Sequence, residues 1–123
     1  MIRFIVAALL MACAPTLVPG AALAHSQLKM SVPAAGATVA PGPSELRLQF
    51  NEPVEARFCK VSVELKGGKA VPSSPPTSDA TDKTTLIVKF AQPLPAGSYK
   101  INWLTVSADT HKVKGSFSFE VHP

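Results

Sequence analysis

The stretch that decides the fold is Glu45-Leu46-Arg47-Leu48-Gln49-Phe50. Polar and apolar side chains alternate with period two, so an extended backbone sends Leu46, Leu48 and Phe50 to one face and the polar residues to the other. That is a strand with one face in a core. Asn51-Glu52-Pro53 ends it, because proline has no amide to donate to a ladder. Phe58 to Leu65 repeats the pattern, with Cys59, Val61, Val63 and Leu65 on one face and Lys60, Ser62 and Glu64 on the other. Gly67-Gly68 then signals a hairpin. Toward the N-terminus, Leu28 to Val32 forms a short first strand, ended by Pro33 and the small residues through Gly36, and Pro41-Gly42-Pro43 punctuates again. Toward the C-terminus, Pro72 to Asp82 has too few apolar residues to be anything but a loop.

Three further strands follow. Thr84 to Phe90 is bounded by Pro93 and Pro95, and Ser98 to Val106 carries Tyr99, Ile101 and Trp103 on one side. Val113 to Val121 places Val113, Phe117, Phe119 and Val121 on one face and Lys114, Ser116, Ser118 and Glu120 on the other. No stretch after the leader shows sustained helical periodicity, and the 12 prolines would break most candidates. About seven short strands with turn signals roughly every ten residues predict an all-β sandwich or barrel.

The segment from Met1 to Ala24 reads as an address. Arg3 supplies a positive start, Phe4 to Cys13 a short apolar run, and Ala22-Leu23-Ala24 a small-residue cleavage site. Pro15 and Pro19 interrupt the run, which is too short to span a membrane. The expected division is a signal peptide over 1–24 and one domain over 25–123. A competing reading takes Leu10-Met11-Ala12-Cys13 as a lipoprotein box, in which Met fits poorly. Cleavage after Ala24 leaves Cys59 as the lone cysteine, expected to be a small buried hydrophobe. It also leaves 11 basic and 8 acidic side chains, 11 − 8 = +3. These are scattered between strands and not clustered, which a solvated surface explains better than nucleic-acid or membrane binding does, and no nucleic-acid partner is expected.

Cleavage would make His25 the first residue, with its α-amine and ring Nδ1 both within reach of one metal ion. Far along the chain, Asp109-Thr110-His111 offers a carboxylate and an imidazole two positions apart, on the same side of an extended backbone. Three nitrogens and one carboxylate oxygen suit a tetragonal Cu(II) centre. An Asp-x-His spacing alone is common in solvated loops; the histidine directly after a cleavage site is the more specific signal. His122 reads as a tail residue and Trp103 as core.

At these residues the chain resembles the CopC-type periplasmic copper-binding proteins. The resemblance is carried by His25, Pro33-Ala34-Ala35-Gly36-Ala37, Ser44 to Leu48, Phe50 to Glu55, Leu94 to Tyr99, Trp103, Val106 to His111 and Gly115 to Phe119. It implies a seven-stranded Greek-key barrel or sandwich of immunoglobulin-like type, exported to the periplasm, with Cu(II) ligands at His25, Asp109 and His111. The family often has a histidine two places after the first; here that place is Gln27. Some members carry a methionine-rich segment for Cu(I), whereas this chain has only Met30 after the leader. Glu52, at a strand end beside a proline, is the expected outer carboxylate orienting the ligands, with Gln27 beside it.

The expected activity is that of a monomeric, non-enzymatic Cu(II) carrier or buffer that passes its ion to an inner-membrane copper transporter. Two rivals stand beside it. Copper-dependent polysaccharide oxygenases also begin with a chelating histidine, but they are much larger and present a flat substrate face. The other rival is a metal-free sandwich that docks a partner protein.

Overall fold

A computed structural model describes residues 27–107 and 109–123. The described residues form nine strands and one turn of 3-10 helix, Ala56–Phe58. The strands are β1 (Leu28–Val32), β2 (Thr38–Val39), β3 (Glu45–Phe50), β4 (Lys60–Leu65), β5 (Lys69–Val71), β6 (Thr77–Ser78), β7 (Thr85–Lys89), β8 (Gly97–Val106) and β9 (Lys112–Val121). They make two sheets, ordered β1-β3-β7-β6 and β2-β9-β8-β4-β5. Every pairing is antiparallel except β2 with β9, where Thr38 and Val39 lie opposite Glu120 and Val121. The chain changes sheet after β1, β2, β3, β5 and β7, which gives a Greek-key sandwich.

The alternation read from the sequence is what fills the space between the sheets. Leu46, Leu48 and Phe50 on β3, and Leu86 and Val88 on β7, face Val63, Tyr99, Ile101, Trp103, Phe117 and Phe119 across the core. Phe50 meets Trp103 edge-on, with ring centroids 5.2 Å apart. Tyr99 stacks on Phe119, and its hydroxyl donates to the Pro95 carbonyl at 2.5 Å. That is the tyrosine corner of immunoglobulin-like sandwiches, which ties the start of a strand to the turn before it. Trp103 lies flat over Gly115, its register partner; a Cβ there would come within 2.5 Å of the indole.

Beyond shifts of one residue at the ends of β7, β8 and β9, the strands differ from the sequence reading in three places. Phe58 belongs to the 3-10 turn, so β4 begins at Lys60. The Pro72–Asp82 run contains β6, whose Thr77 and Ser78 pair with Ile87 and Leu86 and cap a sheet edge. β2 has no counterpart in the sequence reading: Thr38 and Val39 are too short a run to show periodicity, and they pair with the far end of the chain. The seven strands longer than β2 and β6 match the expected number.

Candidate metal centre

The hairpin β8–β9 pairs along its full length, from Gly97↔Val121 to Val106↔Lys112. Residues 107–111 close it at one end of the sandwich. Ser107 is buried at 3% exposure and bridges to Val54, which ties the loop to the segment after β3. The loop folds on itself: Thr110 N–H donates to Ser107 O at 2.9 Å, and Ser107 N–H donates to His111 O at 3.0 Å. Thr110 has φ 67°, in the left-handed region, where a β-branched residue costs about 1–2 kcal/mol. Its hydroxyl donates to Asp109 O at 2.6 Å. This backbone reversal holds a strained residue between two candidate ligands, a placement typical of functional loops.

Asp109 and His111 do meet, but through the turn at Thr110 and not, as expected, on one side of an extended backbone. His111 Nδ1 lies 2.7 Å from Asp109 Oδ2, and the other carboxylate oxygen, Oδ1, accepts from Ser107 Oγ. Both side chains are more than half exposed, at 58% and 56%. The Ser107 hydroxyl first, and His111 second, hold the Asp109 carboxyl at a pKa of about 2. Asp109 is therefore an anion at any neutral pH. A proton on Nδ1 places the imidazole lone pair on Nε2, the tautomer that binds a metal while a carboxylate orients the ring. Direct coordination by Asp109 Oδ2 requires this contact to open.

The remaining expected site residues fall in different places. His25 lies outside the described residues. Gln27 N–H donates to Asn51 Oδ1 at 2.8 Å and Asn51 N–H donates to Gln27 O at 2.9 Å, so the chain enters the sandwich beside the end of β3. Glu52 follows Asn51 directly and stands just before Val54, the bridge partner of Ser107. The entry point, Glu52 and the Asp109–His111 loop thus share one end of the molecule. His122 is at the other end, next to Val121, which pairs with Gly97.

Cys59 is buried, and its thiol donates to Glu55 O at 3.1 Å. Burial pushes the thiol pKa up, so Cys59 behaves as core and not as a thiolate ligand. Trp103 is core as expected. Among the described residues no group of three or more His, Cys, Asp or Glu side chains could hold a metal. Asp109 and His111 supply two donors, and copper needs more. Sequence reasoning misses Ser107, although it extends the period-two series Ser107, Asp109, His111. It also misses Asn51 as the entry anchor, although an Asn at a strand end suits that role.

An immunoglobulin-like sandwich that carries an exposed carboxylate–imidazole pair on a hairpin loop defines a small domain suited to handling a metal ion. The family model described as CopC domain matches residues 28–122, and the chain belongs to that family. It is 34% identical over 106 residues to copper resistance protein C of Escherichia coli, an alignment covering 81% of this chain and 83% of that protein. Its fold is similar to the crystal structure of CopC from Methylosinus trichosporium OB3b, with a TM-score of 0.74 and 31% identity over 80% of this chain and 95% of that one. It is also similar to PcoC, a methionine-rich copper resistance protein from Escherichia coli, with a TM-score of 0.72 and 32% identity over 80% and 99% of the two chains. Copper is thereby the metal with which this family is concerned, and the two Escherichia coli proteins just described are named for resistance to it.

Proposed function

We propose that this protein is a periplasmic carrier or buffer for Cu(II), exported by the leader from Met1 to Ala24 and active as a monomer from His25 onward. One observation carries the reading. The Asp109–His111 pair sits exposed at the end of the sandwich where Gln27 is fixed to Asn51. Two residues of extended chain span at most about 7 Å, so a histidine two positions before Gln27 would be within reach of that end. Its α-amine and ring nitrogen would complete the donor set that two described side chains leave short. Three nitrogens with the ionised Asp109 favour Cu(II) over softer or harder ions. Only Met30 could offer a thioether after the leader, against a Cu(I) site of the methionine-rich kind.

Glu52 orients the terminal segment or a bound water, and Gln27, in place of a further imidazole, leaves a coordination position to solvent. Donors this exposed exchange their ion, which suits transfer to an inner-membrane copper transporter. The test is N-terminal sequencing of the exported protein joined to a Cu(II) titration followed by electron paramagnetic resonance. The expected result is a chain starting at His25 that binds one Cu(II) with three nitrogens. Binding should weaken steeply from pH 7.5 to 5.5, as protons compete for imidazoles and the α-amine, with free pKa values of about 6.5 and 7.7–8.0. A different first residue, or a Cu(II) spectrum unchanged in His111→Ala, refutes the proposal. Oxidation of polysaccharide by the copper-loaded protein with a reductant and peroxide would favour the oxygenase reading instead.

A further inference from the structure

The basic side chains that look scattered in sequence are gathered by the sheet register. On the outer face of the five-stranded sheet, Lys60, Leu104 and Lys114 lie directly opposite one another on β4, β8 and β9. Lys112 precedes Lys114 by two positions on the same face, and immediately follows His111. Strands stand about 4.8 Å apart, so the three ammonium groups start from backbone positions within roughly 12 Å. Just ahead of β4, Phe58 is 52% exposed and the Arg57 guanidinium sits 4.7 Å above its ring.

The other half of this face is different. There Glu64 stands opposite Lys100, and Glu120 opposite Ser98. The side-chain ion pairs among the described residues involve Arg47 and His111, so none neutralises Arg57, Lys60, Lys112 or Lys114. A groove of about 890 Å³ has Lys60, Lys114, Leu104 and the polar row Ser62, Asn102 and Ser116 among its lining, with Trp103 and the Pro75-Pro76 pair completing an otherwise largely apolar wall. The acidic residues nearest in sequence to this half are Asp109, three positions before Lys112, and Glu55, two before Arg57.

We infer that this groove docks an acidic segment of a partner protein, with an apolar side chain of that segment seated against Leu104 in the groove and Phe58, just ahead of β4, flanking it in the chain. Its carboxylates would meet Lys60, Lys112, Lys114 and Arg57, which have no ion-pair partner among the described residues. Aromatic residues and arginine are enriched at the energetic centre of interfaces, and Phe58 with Arg57 supplies both. The position matters, because a protein held there stands beside Asp109 and His111. The inference goes beyond the copper reading and does not depend on it.

The test uses the exported protein, isotopically labelled, and an acetylated peptide that alternates Glu and Leu, with a Lys–Leu peptide as control. Amide shifts are expected at residues 58–62, 102–104 and 112–116 with the acidic peptide only. Raising salt from about 0.05 to 0.2 M should weaken binding several-fold, because the contacts are exposed. K60E/K114E should lose at least about tenfold in affinity while K29E, on the other sheet, retains it. A Cu(II) titration of K60E/K114E that matches the parent shows the fold and metal loop intact, so the two proposals fail separately. No binding, equal binding of the Lys–Leu peptide, shifts elsewhere, or K60E/K114E binding as the parent does overturns the inference. So does uptake of the protein by phosphatidylglycerol vesicles in preference to the acidic peptide, since the groove would then serve a membrane.

Discussion

Gly115→Ala tests the packing that supports the metal end of the sandwich. The backbone at Gly115 needs no positive φ, so the substitution adds one methyl group and no backbone strain. That methyl would lie 2.5, 2.8 and 3.2 Å from three indole carbons of Trp103, where ordinary contact begins near 3.4 Å. To restore that contact the ring must retreat by about 1 Å, and a shift of that size in a close-packed core forces neighbours off their rotamers. It has little room, because Phe50 stands edge-on behind it at 5.2 Å and both residues are buried. Overpacking of this kind costs about 1–3 kcal/mol. In a domain of about 100 residues, 1 kcal/mol moves the melting midpoint by about 4–8 °C. A cost of about 2 kcal/mol thus lowers Tm by roughly 8–16 °C. Thermal unfolding by circular dichroism measures the shift, and the emission of the single tryptophan reports the ring's displacement. In a Trp103→Phe background the smaller ring leaves space, and Gly115→Ala should cost less than half as much. A midpoint within about 2 °C of the parent with an unchanged emission maximum would refute the reasoning.

Ser107→Ala removes the hydroxyl that donates to Asp109, and should weaken Cu(II) binding by about 10–100-fold with little loss of fold, as changes to a ligand's orienting partner do; competition titration measures it, and unchanged affinity removes Ser107 from the site. Tyr99→Phe deletes the hydroxyl that donates to Pro95 O and should destabilise the fold by about 1 kcal/mol, read as a shift in the urea midpoint at constant slope. Three carboxyls are held below their ordinary value by bonds present only in the folded chain: Asp79 at about 2, chiefly through Thr81 and Arg47, Asp82 chiefly through Thr84, and Asp109 at about 2. Each contributes stability above the unfolded value near 3.9, and that contribution is lost as pH falls toward 2. Tm should accordingly fall between pH 4.5 and 2, and a flat profile there would show that these bonds survive in the unfolded chain.

The fold is legible in most strands whose side chains alternate, with β1 the exception: Leu28-Lys29-Met30-Ser31-Val32 alternates, yet Ser31 is buried while Met30 and Val32 are exposed, beside an irregularity in the pairing with β3. β3, β4, β8 and β9 bury the face that their sequence assigns, because the period-two pattern and the two-sheet core are the same constraint, whereas β7, with Leu86, Ile87 and Val88 in succession, is legible only as a bounded apolar run. The shortest strands are not legible, since β2 and β6 are created by their partners and not by their own residues. At the candidate site, Asp109 and His111 are visible through their spacing, and the structure joins them. The Ser107 hydroxyl and the Asn51 anchor are not, because both act through contacts that exist only once the chain has turned back on itself. The charge distribution misleads in one dimension: Lys60 and Lys114 are distant in sequence and look unrelated until β8 brings them to either side of Leu104.

One topological detail bears on how the molecule matures. β9 ends at Val121, yet it lies inside its sheet, flanked by β8 and by Thr38–Val39. A polypeptide that emerges head first cannot close this sheet until Val121 has emerged. Until then β8 presents a bare row of amides and carbonyls, the kind of edge that recruits foreign strands. A ribosome product stopped before Lys112 would lack an interior strand and would also leave the 107–111 turn unclosed. Such fragments would fail to assemble the five-stranded sheet, so an incomplete copy would lack the hairpin that sets Asp109 beside His111.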